Sequence, residues 1–139
     1  MLSVFFVGRV KNRKRYEEFA CNVINDLFPR EFPKREIDIL VKFTKKDIGA
    51  MGWCVNMGDD TIGITVNTEC EPEVLASTVA HELVHAKQYI RGELNDTMTR
   101  WKKKKVPYGP RGGCKIPYAR QPWEREAFRK EKMYTELYW

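Results

Sequence analysis

Two histidines four residues apart carry the strongest chemical signal in this sequence. The segment His81-Glu82-Leu83-Val84-His85 has the pattern H-E-x-x-H and lies inside a mostly apolar stretch over residues 74–90. On a helix, side chains at i and i+4 share one face. Both imidazoles can therefore reach one metal ion, and Glu82 can contact a water on that ion. This pattern predicts a catalytic zinc site with Glu82 as general base.

The structural alternative is a buried helix whose two histidines are simply hydrogen-bonded to neighbours. These are the only two histidines of the chain, and both fall in the motif. Unpaired polar groups inside an apolar helix are costly. A largely apolar helix that carries this motif therefore favours metal binding, with one Zn²⁺ per chain.

A third zinc ligand has to come from elsewhere in the chain, because catalytic zinc usually has three protein ligands and one water. With no further histidine, a carboxylate is the natural candidate. Glu124 and Glu126 stand at the start of a later helical segment. They point about 200° apart around a helix axis, so only one of them can face the metal. The alternative for Glu124 is a favourable interaction with the positive end of the helix dipole.

The apolar periodicity predicts the elements that must position these groups. Apolar side chains recur at helical spacing over residues 14–28 and alternate with polar ones over 37–43. The turn composition Gly58-Asp59-Asp60 indicates a two-stranded hairpin. In chain order we expect a strand at 1–10, a helix at 14–28, strands at 37–43, 53–57 and 62–66, a helix from Pro72 to a stop at Gly92, a short strand or arm at 98–106, and a helix from Pro122 toward Leu137. This order predicts a single α+β domain over residues 1–139. Its small mixed or antiparallel sheet would pack on the N-terminal helix and the motif helix, with a C-terminal helix beside them.

Positive charge is concentrated in the second half of the chain. Residues 1–85 hold 11 basic and 13 acidic side chains, whereas residues 86–139 hold 14 basic and 6 acidic ones. This asymmetry indicates an anionic partner such as nucleic acid, bound through the basic region at 100–120, although such a run is more often a solvated face. Trp101, Tyr108 and Tyr118 interleave with the charges, as base-stacking side chains do. The candidate contacts are Arg100, Lys102, Lys103, Lys104 and Lys105.

Membrane insertion and secretion are not indicated by the composition. No apolar run approaches the ~20 residues that span a bilayer. The apolar residues 1–7 follow no basic residue and precede no small-residue cleavage site, so they read as a strand. Four cysteines without a C-x-x-C pair argue against a cysteine-rich structural zinc site. We expect a cytoplasmic protein with no membrane partner, in the host cytoplasm if it is phage-encoded.

The two motifs together resemble the gluzincin family of zincin metallopeptidases. H-E-L-V-H is followed about 40 residues later by E-R-E-A, and the second gluzincin motif reads E-x-x-A-D, with its first Glu on zinc. The resemblance implies that Glu124 is the third ligand and Ala127 the small packing residue. Phe128 stands where the family has Asp, so the resemblance names no partner for a ligand histidine.

The resemblance is closest to the small metallopeptidases encoded in phage genomes, which have a minimal zincin-like core. The chain is also similar in size and layout to the SprT-like peptidases, whose members act on DNA-associated proteins and use a third histidine that is missing here. In zincins the strand before the metal helix usually forms the sheet edge above the cleft, where it can pair with a substrate backbone. For this chain that strand is 62–66, which could equally be an ordinary edge strand.

The implied activity is zinc-dependent hydrolysis of a protein or peptide substrate. His81, His85 and Glu124 would hold the metal, and Glu82 would be the general base. An oxyanion or substrate contact is also needed, for which Tyr108, Tyr118, Tyr89 and nearby arginines are candidates. One alternative is a basic nucleic-acid- or protein-binding module with a structural or vestigial zinc. Another is an enzyme that acts on a non-peptide amide.

Overall fold

The computed structural model describes residues 1–29, 35–107 and 114–139. Three helices and a four-stranded sheet make up most of it, and a short hairpin projects between the last two helices. The elements are β1 (Leu2–Val7), α1 (Arg13–Leu27), β2 (Ile37–Thr44), β3 (Gly52–Gly58), β4 (Thr61–Asn67), α2 (Pro72–Ile90), β5 (Arg100–Trp101), β6 (Lys104–Lys105), a 3₁₀ turn (Tyr118–Arg120) and α3 (Pro122–Tyr138). The predicted α+β class with a small mixed sheet is confirmed.

The sheet has the strand order β1-β2-β4-β3. β1, β2 and β4 run parallel, and β3 pairs antiparallel with β4. The first strand, helix and second strand thus form the crossover expected from the sequence. β3 and β4 form the predicted hairpin, in which Asp59 and Asp60 have positive φ angles of 52° and 57°.

The expectation that the strand before the metal helix lies at the sheet edge is wrong. β4 lies inside the sheet, between β2 and β3, and β3 forms the edge. The side chains that β3 and β4 turn toward the core explain which of the two strands lies at the edge. Ile62, Ile64 and Val66 of β4 are fully buried, whereas β3 turns Gly52, Cys54 and Asn56 inward and remains partly exposed. The more apolar strand gains more from having a neighbour on both sides.

The core lies between one face of the sheet and the helices α1 and α2. The alternating residues Ile37, Ile39, Val41 and Phe43 of β2 face it, as do Phe19 and Val23 of α1 and Val79 and Leu83 of α2. α3 packs along α2 and also contacts α1. α2 is therefore covered by the sheet on one side and by helices on others, and its two histidines are buried.

Both ends of α2 follow from the sequence. Pro72 is the first helical residue, where its missing N–H costs nothing, and Glu73 lies in the first turn. Gly92 has φ +69°, a conformation that glycine adopts readily at the end of a helix. Among the described residues, none of the helices has both the length and the hydropathy needed to cross a membrane.

Candidate metal centre

α2 and α3 bring the three predicted ligands together. Oε1 of Glu124 lies 2.9 Å from Nε2 of His81 and 3.1 Å from Nε2 of His85. The two Nε2 atoms are 3.2 Å apart. All three side chains are buried, and they form a cluster of metal-ligating type among the described residues. His81 and His85 come from successive turns of α2, and Glu124 comes from the first turn of α3.

The spacing of these atoms fits a tetrahedral metal ion. Bonds of about 2.0–2.1 Å to imidazole nitrogen and carboxylate oxygen place two tetrahedral ligands about 3.3 Å apart. The three observed separations lie within a few tenths of an ångström of that value. Two imidazoles and one carboxylate are also a donor set that zinc accepts in hydrolases. The side chains therefore need little rearrangement to hold such an ion.

Gln88 fixes the orientation of His85. Its Nε2 group donates to the backbone oxygen of Trp123 at 2.9 Å and to Oε1 of Glu126 at 3.0 Å. Both partners are acceptors only, so the amide oxygen has to face Nδ1 of His85, 2.8 Å away. Nδ1 must then carry the proton, and the lone pair of Nε2 is left for a metal.

His81 has a carboxylate on the side away from Glu124. Oε1 of Glu131 lies 3.7 Å from its Nδ1, and the other oxygen of Glu131 accepts a 2.6 Å hydrogen bond from Ser77. Phe128 packs its ring against the imidazole, with centroids 4.7 Å apart. Phe128 is thus an aromatic neighbour of His81, and the carboxylate near this histidine comes from Glu131, about one turn later in α3.

Glu126 faces away from the cluster and has other partners. Its Oε1 accepts from Nζ of Lys87 at 2.8 Å as well as from Gln88. Lys87 is only 5% exposed, and Glu93 lies 2.7 Å from the same ammonium group. A buried ammonium requires such compensation. Of the two candidate carboxylates, the structure therefore places Glu124 at the histidines and Glu126 in a buried ion-pair network.

Glu82 lies beside the cluster in an open cleft of about 940 Å³. The cleft runs between α2 and α3 and is also lined by His81, Tyr118 and Phe128. Burial raises the pKa of Glu82 despite the opposing effect of His85 and His81. A carboxylate with a raised pKa accepts and returns a proton more readily, as a general base that later becomes an acid must do.

Gly52 allows β3 to approach Glu82 closely. A Cβ atom at this position would lie 2.8 Å from Cγ2 of Thr78, 3.0 Å from Cγ of Glu82 and 3.1 Å from its Oε1. We expect Gly52→Ala to displace the Glu82 side chain and to lower turnover on the order of 10²-fold, with zinc affinity unchanged. Gly63→Ala is the control, because its Cβ would meet the flexible Met57 side chain at 3.1 Å. Equal activity of the two variants in a peptide hydrolysis assay would contradict this prediction.

The three tyrosines predicted as oxyanion or substrate contacts differ in where they lie. Tyr118 lines the cleft, and burial together with the charge of Glu124 raises its pKa to about 12, which keeps the hydroxyl protonated as a donor. Tyr108 lies outside the described residues. Burial and the neighbouring Cys54 raise the pKa of Tyr89. A role in oxyanion or substrate binding remains a prediction for all three.

The basic residues lie on the β5–β6 hairpin and not at the metal cluster. Arg100, Lys102, Lys103, Lys104 and Lys105 are all exposed. Lys102 and Lys103 form the turn, with φ angles of 48° and 72°. Binding of nucleic acid through this region stays a prediction.

Sequence reasoning missed Gln88 and Glu131 as neighbours of the two histidines, and Lys87 as the partner of Glu126. Glu131 follows Glu124 by seven residues, which is two helical turns and therefore the same face of α3. Gln88 likewise follows His85 by three residues on one face of α2. Helical spacing was thus a usable signal for both, whereas the pairing of Lys87 with Glu126 depends on how the two helices pack.

Comparison with the profiles of known protein families, with curated proteins and with solved structures found no match to this chain. The chemistry of the cluster is therefore inferred from its own residues and their geometry.

Proposed function

We propose that this protein is a zinc-dependent metallopeptidase with a minimal zincin-like fold. The observation that carries the proposal is the convergence of His81, His85 and Glu124 beside Glu82 at the wall of an open cleft. A site of purely structural type has no use for a carboxylate base next to its ligands. The test is peptide hydrolysis by the zinc-loaded protein, compared with the Glu82→Gln variant.

Each residue of the cluster has a distinct task in this proposal. A bound zinc ion would polarise the scissile carbonyl and lower the pKa of its water. His81, His85 and Glu124 hold the ion, with Gln88 orienting His85. Glu82 takes a proton from the attacking water and delivers it to the leaving amine. Tyr118, which lines the same cleft, would donate a hydrogen bond to the substrate.

The position of β3 supports a peptide as the substrate. β3 is an edge strand, and its first residue, Gly52, lines the cleft next to Glu82. Edge strands can bind an extended peptide through backbone hydrogen bonds. The strand that serves the substrate in this proposal is therefore β3, not the strand that immediately precedes the metal helix.

Removal of the Gln88 amide should weaken zinc binding. Gln88→Met keeps the approximate volume but takes the acceptor away from His85 Nδ1. We expect zinc affinity to fall about 10- to 100-fold, and stability to fall by about 1–3 kcal/mol because buried polar groups lose partners. Chelator competition and thermal unfolding measure the two effects. An unchanged zinc affinity would show that Gln88 does not orient the ligand.

Protons should compete with zinc for His81. Burial acts to lower the pKa of His81, but the hydrogen bond to Glu124 and the nearby carboxylate of Glu131 outweigh it and raise the pKa to about 9. A raised pKa means that the proton is held more tightly and must leave when zinc binds. The pKa of His85 is raised as well, so this histidine must also release its proton. We therefore expect zinc affinity to rise at least about tenfold per pH unit toward pH 9 and then to level off. A flat profile in chelator competition across this range would contradict the assignment.

A further inference from the structure

A second groove, which we call the basic groove, lies between the β5–β6 hairpin and the first turns of α3. It has a volume of about 580 Å³, and its lining includes Lys102, Arg125 and Arg129. Trp101 and Phe128 contribute its aromatic surface. Arg125 and Arg129 are one helical turn apart on α3, so like charges are held side by side, an arrangement that by itself disfavours the helix.

The carboxylates near the two arginines of the groove already bind other groups of the protein. Glu126 also lines the groove, but its Oε1 binds Lys87 and Gln88. Glu93 is paired with the same buried Lys87. Within residues 1–29, 35–107 and 114–139, neither arginine of the groove forms a salt bridge. Their charge is therefore available to an anion from outside the chain.

The hairpin turn presents Lys102 in an unusual backbone conformation. Lys102 and Lys103 both have positive φ, a region that glycine or asparagine occupies at lower cost than lysine. The Lys102 ammonium lies 5.2 Å from the Trp101 ring centroid, on the groove side of the hairpin. Lys102 thus adds a third cationic side chain to the lining of the groove.

The basic groove adjoins the metal cleft at Phe128, which lines both. At the distant end of the cleft stand three glutamates, Glu71, Glu73 and Glu136, with the single cation Lys132 beside them. The basic groove is therefore positively charged, whereas the far end of the metal cleft is negatively charged overall. A uniform polyanion that is longer than the groove would meet these glutamates, whereas a peptide can be acidic on one side of the scissile bond only. The observations thus favour an acidic peptide segment over a nucleic-acid strand.

We propose that the basic groove binds an acidic segment of the peptide substrate, next to the scissile bond on the Phe128 side. The selection of a substrate rests on the proposed peptidase function, but binding of the acidic segment can be measured without turnover. Lys102, Arg125 and Arg129 would select the substrate and set its direction across the metal cluster.

The test is binding of a fluorescein-labelled peptide that carries four glutamates beside a neutral segment, measured by anisotropy on zinc-loaded Glu82→Gln protein. The reference peptide has glutamine in place of each glutamate. The variants are Arg125→Glu/Arg129→Glu and, as the control, Lys14→Glu, an exposed cation on α1. Circular dichroism checks that all variants fold, and a single-stranded oligonucleotide of equal charge is the competitor.

We expect the acidic peptide to bind about tenfold or more tightly than the glutamine peptide, since several exposed charge pairs act together. The double arginine change should remove this preference, and Lys14→Glu should keep it. Equal binding of both peptides, or an unchanged preference in the double variant, would overturn the proposal. So would tighter binding of the oligonucleotide at the same groove. Absence of hydrolysis by the unaltered protein would refute the peptidase function but leave this binding result to be judged by itself.

Discussion

The Glu82→Gln variant is expected to lose peptide hydrolysis while it keeps its zinc. Glu82 lines the cleft beside His81 and does not take part in the three-ligand cluster. Glutamine has nearly the same shape but cannot accept the proton of the attacking water. General acid–base catalysis typically contributes about 10²–10⁴-fold to the rate, so kcat should fall by that order. Zinc content and the unfolding temperature should stay close to those of the unaltered protein.

The matched control for this change is Glu73→Gln. Glu73 is an exposed glutamate that lines the same cleft, so the variant makes the same chemical change without touching the base. Kinetics on one peptide substrate and elemental analysis of each protein complete the comparison. Turnover that survives in Glu82→Gln would remove Glu82 from the mechanism, and zinc lost from it would show that Glu82 acts as a ligand.

The second large effect is expected at Glu124. Its Oε1 lies within 3.1 Å of both histidine Nε2 atoms, and burial, which alone would raise its pKa, is outweighed by the two histidines, so the pKa falls to about 2. Glu124 is therefore a carboxylate throughout the physiological range. We expect Glu124→Ala to weaken zinc binding by more than about 100-fold, beyond what changes outside the ligand set cause.

Glu126→Ala is the comparison, because it removes a glutamate from the same helical turn. This change takes one hydrogen-bond acceptor from Lys87 and from Gln88 but leaves Glu93 on the ammonium group, so it should lower stability by about 1–3 kcal/mol. At a temperature where it remains folded, it should still bind zinc far more tightly than Glu124→Ala. Chelator competition on the folded proteins gives the two affinities. A larger loss of zinc affinity in Glu126→Ala would reverse the assignment of the third ligand.

The elements were predictable because each carries its own periodic signal. The alternation of Ile37, Ile39, Val41 and Phe43 defines β2, and the helical spacing from Tyr16 to Leu27 defines α1, since these side chains form the core. α2 was predictable from its long, mostly apolar run between Pro72 and Gly92. Its two histidines needed only the local geometry of a helix to share one face.

The order of strands and the surroundings of the ligands were not predictable in this way. The positions of β3 and β4 depend on how apolar the inward face of each strand is. The resemblance to zincins suggested β4 as the edge strand, whereas β3 occupies that position. The choice between Glu124 and Glu126 depends on which side of α3 faces α2. That is decided by partners such as Lys87 and Gln88, whose contacts arise only when the helices pack.

The central claim is zinc-dependent peptide hydrolysis, and the most direct measurement is oxygen incorporation into cleaved peptides. A peptide library made from a whole proteome is incubated in ¹⁸O-labelled water with zinc-loaded protein, and mass spectrometry reads the new carboxyl termini. We predict labelled products with the unaltered protein, none after chelation, and none with Glu82→Gln. A folded protein that holds one zinc ion at the histidine cluster yet leaves the whole library uncut would contradict the claim.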